Sequence, residues 1–424
     1  VLAMTDQHAL TLFDTALHTD HPVLVPIRLR LDGTSATHPL LDKLAPVRRS
    51  AADSISRPAA PRTEEDFIDR VRAEAAAVLG HRSGHDVDPD GQFTELGFDS
   101  LAAIKLRNQL GAATGVRLAA TAVFDHPTAR ELGRHLHAAS GGAPAQAAEG
   151  DTLSSLFRDA VAAGRRDDGF ELLSAVAKLR PGFGSPADLP SIAPPVRLAK
   201  GPTPPRLICV PSPMGLGGAH QYARLAAALR DVREVYGLAI PGFLQSEALP
   251  ESPDAVVQWL AASLLQVVGD DPYAVVGYSS GGLFAQGLTR LLEEQGRPPA
   301  GLALLDTYLP NSTAMEHFAT PMLEGLFERE ESLGPFTSAR LSAMGRYVRL
   351  IAECKIPTVT TPTLFVRPAE LFRAGPGAPE PESWRATWES AAATAEVPGD
   401  HFSMLEQGAT RTARVIDEWL ASVP

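Results

Sequence analysis

The sequence predicts an α/β architecture, a mostly parallel sheet with helices on both faces, preceded by a small all-helical bundle. Three observations carry this. Beyond Pro205, short apolar runs alternate with longer helical patterns, as a parallel sheet covered on both faces requires. Between residues 63 and 138 the apolar residues recur at helical spacing. Stretches rich in Pro, Gly, Ser and Ala separate the blocks, and 424 residues suit two or three domains. The expected organisation is 1–45, a linker 46–62, the bundle 63–138, a flexible linker 139–151, and one large unit 152–424. A helix pair at 152–183 opens the large unit, its core spans 205–424, and 311–354 forms a helical lid.

Each element has a local reason. From Thr63 to Leu79, Phe67, Ile68, Val71, Ala75 and Val78 share one helical face, with Thr63 and Asp66 as an N-cap pair. A polar loop follows, and a second helix starts at Ser100 with Leu101, Ile104 and Leu110 apolar. A third starts near Pro127 and Thr128. Leu153, Leu156, Phe157, Val161, Leu172, Leu173, Val176 and Leu179 are spaced for a helix pair. The proline-rich segment 180–205 is expected to run extended over a surface. Strands then read at "RLICVPSP", "EVYGLAIPG", "YAVVGYSSGG", "LALLDTYLP", "TPTLFVRP" and "TAEVPGDHF", with helices between them and "TRTARVIDEWLASV" closing the chain. The lid segment interrupts the alternation, with Phe318, Met322, Leu326 and Phe327 on one stripe.

Composition excludes several classes. A net charge of −12 without a basic patch argues against nucleic-acid binding. Two cysteines, Cys209 and Cys354, make no disulfide framework and no metal spacing, so a reducing, cytoplasmic setting and no metal are expected. No apolar stretch reaches membrane-spanning length. The start lacks the pattern of a signal peptide, and without an initiator methionine it is expected to be cut from a longer polypeptide.

Gly277-Tyr278-Ser279-Ser280-Gly281 fits G-x-S-x-G, in which a sharp strand-to-helix turn lifts a serine above a sheet. The same small residues also suit a tight packing turn. Only this register works, because Ser280 would need a glycine at Tyr278. An activated serine needs a base, and the base an orienting acid, in the chain order Ser, Asp or Glu, His. Three histidines follow residue 205: His220 precedes the serine, His317 lies in the lid, and His401 follows a late strand. Asp306 ends the strand "LALLD" at the carboxyl edge of the sheet, where sites in such sheets lie; it also suits a turn, and Asp400 is a rival. The oxyanion donors expected are the N–H of Ser280 and, in the loop "PSPMGLGG", that of Met214, since Pro213 has none. Ser100 taken alone reads as a helix N-cap.

Gly97-Phe98-Asp99-Ser100-Leu101 resembles the attachment motif of acyl carrier proteins, and "LRNQL" and "VFDHPT" are similar to carrier domains of modular polyketide synthases. The resemblance covers 63–138 and implies 4'-phosphopantetheine on Ser100, added by a phosphopantetheinyl transferase, with the helix's positive end favouring the phosphodiester. Residues 152–424 resemble the terminal thioesterases of those synthases, which are α/β-hydrolases: "GYSSGG", "LLDTYLP" and "VPGDHFSML" match the motifs that place nucleophile, acid and base at Ser279, Asp306 and His401. It further implies dimerisation through the paired helices at 152–183 and upstream ketosynthase, acyltransferase and ketoreductase domains; residues 1–45 resemble a ketoreductase tail without a dinucleotide loop. The expected activity is offloading of a polyketide acyl chain as a macrolactone or a free acid. A docking scaffold and an editing hydrolase are the alternatives. Tyr278 departs from macrolactone-forming members, which often have histidine there; tyrosine is common in thioesterases of peptide synthetases.

Overall fold

The computed structural model describes residues 63–423, except 80–82, 94–95, 97, 99, 115, 117, 119–121, 141–151, 245–246, 311, 318, 334–335 and 374–379. The ketoreductase-like stretch 1–45, the linker 46–62, most of the linker 139–151 and Phe318 therefore lie outside the described residues. The described residues belong to one compact unit, Ala60–Pro424.

The bundle is built from α1 (Glu64–Leu79), α2 (Ser100–Thr114), the short α3 (Ala122–Asp125) and α4 (Ala129–Ser140). Thr63 and Asp66 cap α1 reciprocally: the Asp66 N–H donates to Thr63 Oγ1 at 3.2 Å and the Thr63 N–H to Asp66 Oδ2 at 3.0 Å. Phe67, Ile68, Val71 and Ala75 are buried as their spacing predicts, and Val78 packs at the edge. Gly133 lets α4 approach α1 closely, since a Cβ there would lie 2.7 Å from the Ile68 Cα. The polar loop after α1 does more than connect: Val87 and Phe93 from it sit in the bundle core. The sequence reading missed α3, whose four residues are too few for a periodic signal.

A helix pair follows, α5 (Thr152–Ala162) and α6 (Arg166–Ala177). It leads to the sheet: β1 (Val196–Ala199), β2 (Arg206–Val210), β3 (Val235–Gly237), β4 (Tyr273–Tyr278), β5 (Gly301–Leu305), β6 (Thr363–Pro368) and β7 (Ala393–Val397). The spatial order is β1-β3-β2-β4-β5-β6-β7; β1 is antiparallel to β3 and every other pair is parallel. The reading of 180–205 as purely extended surface chain is thus corrected, because it contains β1. Pro194 and Pro195 precede that strand and β1 lies at the sheet edge, where missing N–H donors cost no ladder bonds.

Side-chain alternation divides the strands between two cores. Ile208, Val275, Leu302, Leu304 and Phe365 face α8 (Pro253–Val268) and α9 (Gly281–Glu294). Leu207, Cys209, Val276, Leu305 and Val366 face the other layer, α7 (Ala223–Ala228) and α12 (Ala409–Ser422). Burial pushes the Cys209 thiol far up and that of Cys354 to about 12, so both act as packing groups.

Between β5 and β6 lie a 3-10 turn (Thr313–His317), α10 (Ala319–Leu333) and α11 (Ser338–Glu353), the helical insert expected as a lid. Phe157 and Leu173 of the helix pair pack against Phe336, Leu341 and Met344 of this insert. Truncating a phenylalanine buried this way costs about 3–5 kcal/mol. Gly345 admits Leu173, whose carbonyl carbon would lie 2.5 Å from a Cβ there, and Ser174 Oγ donates to the Gly345 carbonyl at 3.0 Å. Leu156 and Leu179 of the predicted apolar set are instead exposed. Beyond α6, Arg180 spans two regions. It donates to the Ala339 carbonyl and Ser342 Oγ of α11, and to the carbonyls of Gly242, Leu244 and Glu247.

Candidate active site

Ser279 follows β4 in a left-handed turn, φ +54°, a backbone that costs a side-chain-bearing residue about 1 kcal/mol or more. The flanking glycines are a steric requirement: a Cβ on Gly281 would lie 2.4 Å from the Pro211 carbonyl oxygen, and one on Gly277 2.6 Å from the Gly282 Cα. The ladder still runs through the turn, because the Ser279 N–H donates to the Leu305 carbonyl at 2.8 Å. One strand over, the Asp306 N–H donates to the Val366 carbonyl at 2.8 Å, and Asp306 also adopts a left-handed backbone, φ +41°. His401 follows β7. The three residues stand at the carboxyl edge of one sheet.

Asp306 and His401 are buried, and His401 Nδ1 lies 2.7 Å from Asp306 Oδ2. A carboxylate oxygen only accepts, so Nδ1 carries the donated proton and Nε2 keeps its lone pair. Asp400 is not in competition: its Oδ1 accepts the N–H groups of Phe402 and Ser403 and shapes the turn that carries His401. Ser279 and His401 line one cavity of about 380 Å³, walled mainly by apolar groups such as Leu283, Met322, Leu326 and Ile351. Among the described residues no hydrogen bond joins the Ser279 hydroxyl to His401. Such bonds commonly tighten only when substrate is bound.

Met214 and Ser280 line the same cavity. Neither N–H is spent on a backbone carbonyl among the described residues. The Ser280 hydroxyl lies 3.1 Å from Ser212 Oγ, which ties the elbow to the loop after β2. Gly217 donates to the Met214 carbonyl and closes that loop tightly.

Two supports of the histidine have no signature in the sequence. The Tyr278 hydroxyl donates to the His401 carbonyl at 2.8 Å, and the two rings stack at 4.9 Å between centroids. From the lid side, Arg329 of α10 makes a bidentate pair with Glu406, at 2.7 and 3.1 Å, and covers the Phe402 ring at 3.8 Å. Partners 77 positions apart or more leave no local pattern. His220 sits on a 3-10 turn (Ala219–Tyr222), and the side chain of His317 lies outside the described residues.

Residues 205–420, half of the chain, match the family model described as a thioesterase domain. The chain belongs to the thioesterase domain family. Residues 69–136 match the model of a phosphopantetheine attachment site, which indicates a covalently carried 4'-phosphopantetheine. The thioesterase and its carrier are similar along 100% of the chain to polyketide synthase GfsE of Streptomyces halstedii, at 38% identity. They are 37% identical over 90% of the chain to erythronolide synthase EryA3 of Saccharopolyspora erythraea. Against the spectinabilin polyketide synthase system protein NorC of Streptomyces orinoci the figures are 38% over 82%. The chain spans 12%, 12% and 16% of the lengths of these relatives. This carrier–thioesterase pairing is an enzyme that cleaves acyl thioesters. Among the described residues no helix is long and apolar enough to cross a membrane.

Proposed function

We propose that the chain offloads a polyketide acyl chain from its own carrier, through an acyl-enzyme on Ser279, as a macrolactone or a free acid. The carrying observation is the 2.7 Å contact of His401 Nδ1 with Asp306, at the sheet edge where Ser279 stands on a strained elbow, beside a largely apolar cavity that holds both serine and histidine.

Ser100 is the residue proposed to hold the phosphopantetheine. It is the first residue of α2, and a helix's positive end favours a phosphodiester. When bound, the group supplies a thiol that presents the acyl chain as a thioester. His401 Nε2 takes the Ser279 proton as the serine oxygen bonds to the acyl carbon. The N–H groups of Ser280 and Met214 hold the oxyanion, each worth about 3–4 kcal/mol. Asp306 steadies the imidazolium, and His401 then delivers the proton to the departing sulfur. In the second half His401 takes a proton from a hydroxyl of the chain or from water as that oxygen bonds to the acyl carbon, and returns the proton to the Ser279 oxygen as the acyl–Ser279 bond breaks.

An apolar wall suits a reduced polyketide backbone, and Arg166 and Asp167 add the charged groups of the lining. Upstream ketosynthase, acyltransferase and ketoreductase domains, a phosphopantetheinyl transferase as the modifying enzyme and a cytoplasmic setting complete the proposal; the much longer polyketide synthase relatives support upstream synthase domains. The exposed Leu156 and Leu179 on and beside the helix pair support a homodimer through it. A synthetic acyl thioester with a distal hydroxyl tests the reading. A cyclised product weighs one water less than the acid. No product of either kind, with no labelling of Ser279 by a fluorophosphonate, would favour a docking scaffold.

A further inference from the structure

The carrier does not merely precede the thioesterase; among the described residues the two are in contact. Its short helix α3 lies against the Ala219–Tyr222 turn. Asp125 of α3 accepts a charge-assisted hydrogen bond at 2.9 Å from Arg340 of α11, with side chains only 22% and 10% exposed. Phe124 faces His220 at 6.4 Å between ring centroids. At the edge strand, the Arg197 N–H donates to Gln92 Oε1 at 3.3 Å.

The thioesterase half of this contact is the loop that leads to the oxyanion donor. Arg340 donates with its other nitrogen to the Gly215 carbonyl at 3.4 Å, one residue beyond Met214. Gly218 completes the junction, because a Cβ there would meet His220 at 2.9 Å and Asp125 at 4.0 Å. One arginine therefore reaches both the carrier's carboxylate and the loop that holds the oxyanion N–H.

We propose that Arg340, His220 and the Arg197 edge form the carrier-docking site of this thioesterase, and that docking steadies the oxyanion loop through Arg340. The partner it fits is a carrier domain presenting an aromatic–acid pair, here Phe124-Asp125, just before its last helix. Burial holds His220 at about 4, well below the usual range, so its imidazole is uncharged against Phe124 near neutrality. A modest interface suffices, since a tethered carrier acts at a high effective concentration.

The inference rests on the thioesterase reading above, and the test separates the two. Asp125→Ala alters the carrier alone. In the full chain carrying an acyl group on its pantetheine, it should slow single-turnover release about tenfold or more, as loss of one partner from a largely desolvated ion pair does. Hydrolysis of a small diffusible thioester by the same protein needs no docking and should fall less, through the loosened oxyanion loop alone. In the unloaded chain, amide exchange across 215–222 should rise in the variant. The double exchange Asp125→Arg with Arg340→Asp should recover part of the loss. Equal slowing of tethered and diffusible substrates, or unchanged release, or unchanged exchange at 215–222, would each overturn the docking proposal. A parent protein inert toward the small thioester would instead overturn the enzymatic reading, while the exchange result still decides the docking.

Discussion

Replacing Asp306 by asparagine isolates the electrostatic part of the proposed triad. The substitution is isosteric, and asparagine tolerates the left-handed backbone found there, φ +41°. No cavity and no new backbone strain follow, so the fold should survive. What disappears is the charge facing the imidazolium across the 2.7 Å Nδ1–Oδ2 contact. With charge centres about 4 Å apart and an effective dielectric near 20, that attraction is about 4 kcal/mol. Its loss predicts a rate reduction of about 10³-fold, with more if the amide also favours the wrong tautomer. The assay is single-turnover hydrolysis of a small thioester, with circular dichroism and thermal unfolding to certify the fold. Asp306→Asn that folds normally and stays within tenfold of the parent would refute the assignment of Asp306 as the orienting acid.

Other outcomes follow from the same geometry. Tyr278→Phe keeps the stack on His401 but leaves its buried carbonyl without the 2.8 Å donor; a loss of about 1–3 kcal/mol in denaturant unfolding is expected, with a lower kcat. Gly281→Ala forces a Cβ to 2.4 Å from the Pro211 oxygen, so fluorophosphonate labelling of Ser279 should vanish even where the protein remains soluble. His220 and His126 are both held near pKa 4, chiefly by burial, with Asp125 and Arg340 facing both and His135 also facing His126. Unfolded histidines titrate near 6.5, so the unfolded state binds more protons below that pH and stability falls on acidification. The loss is about 1.4 kcal/mol per histidine at pH 5.5. Unfolding midpoints at pH 7.5 and 5.5 should therefore differ less in His220→Gln than in the parent.

The parts of the molecule that sequence foretold are those whose cause is local. The capping pair Thr63–Asp66 and the face Phe67, Ile68, Val71 lie within a few residues of each other. The elbow glycines answer to sterics inside a five-residue turn. The proposed triad residues were placed together from sequence because each follows a strand, and a parallel sheet brings strand ends to one edge. Other contacts were invisible for the opposite reason. Arg329 with Glu406, Tyr278 with the His401 carbonyl, and Asp125 with Arg340 join residues 77, 123 and 215 positions apart. The strand β1 was hidden by the prolines just before it, Pro194 and Pro195, which the edge of a sheet tolerates and a propensity reading penalises.

Arg180 bears on how such chains could be recombined. Five of its hydrogen bonds join the segment after the helix pair to α11 of the helical insert and to the loop beyond β3. A chimera cut between residues 183 and 205 would ask a foreign arginine to find these acceptors in another protein's loops. Crossovers placed upstream of Thr152 keep the whole clamp from one parent, so hybrids spliced there should retain the donor enzyme's selectivity where the later cut erodes it.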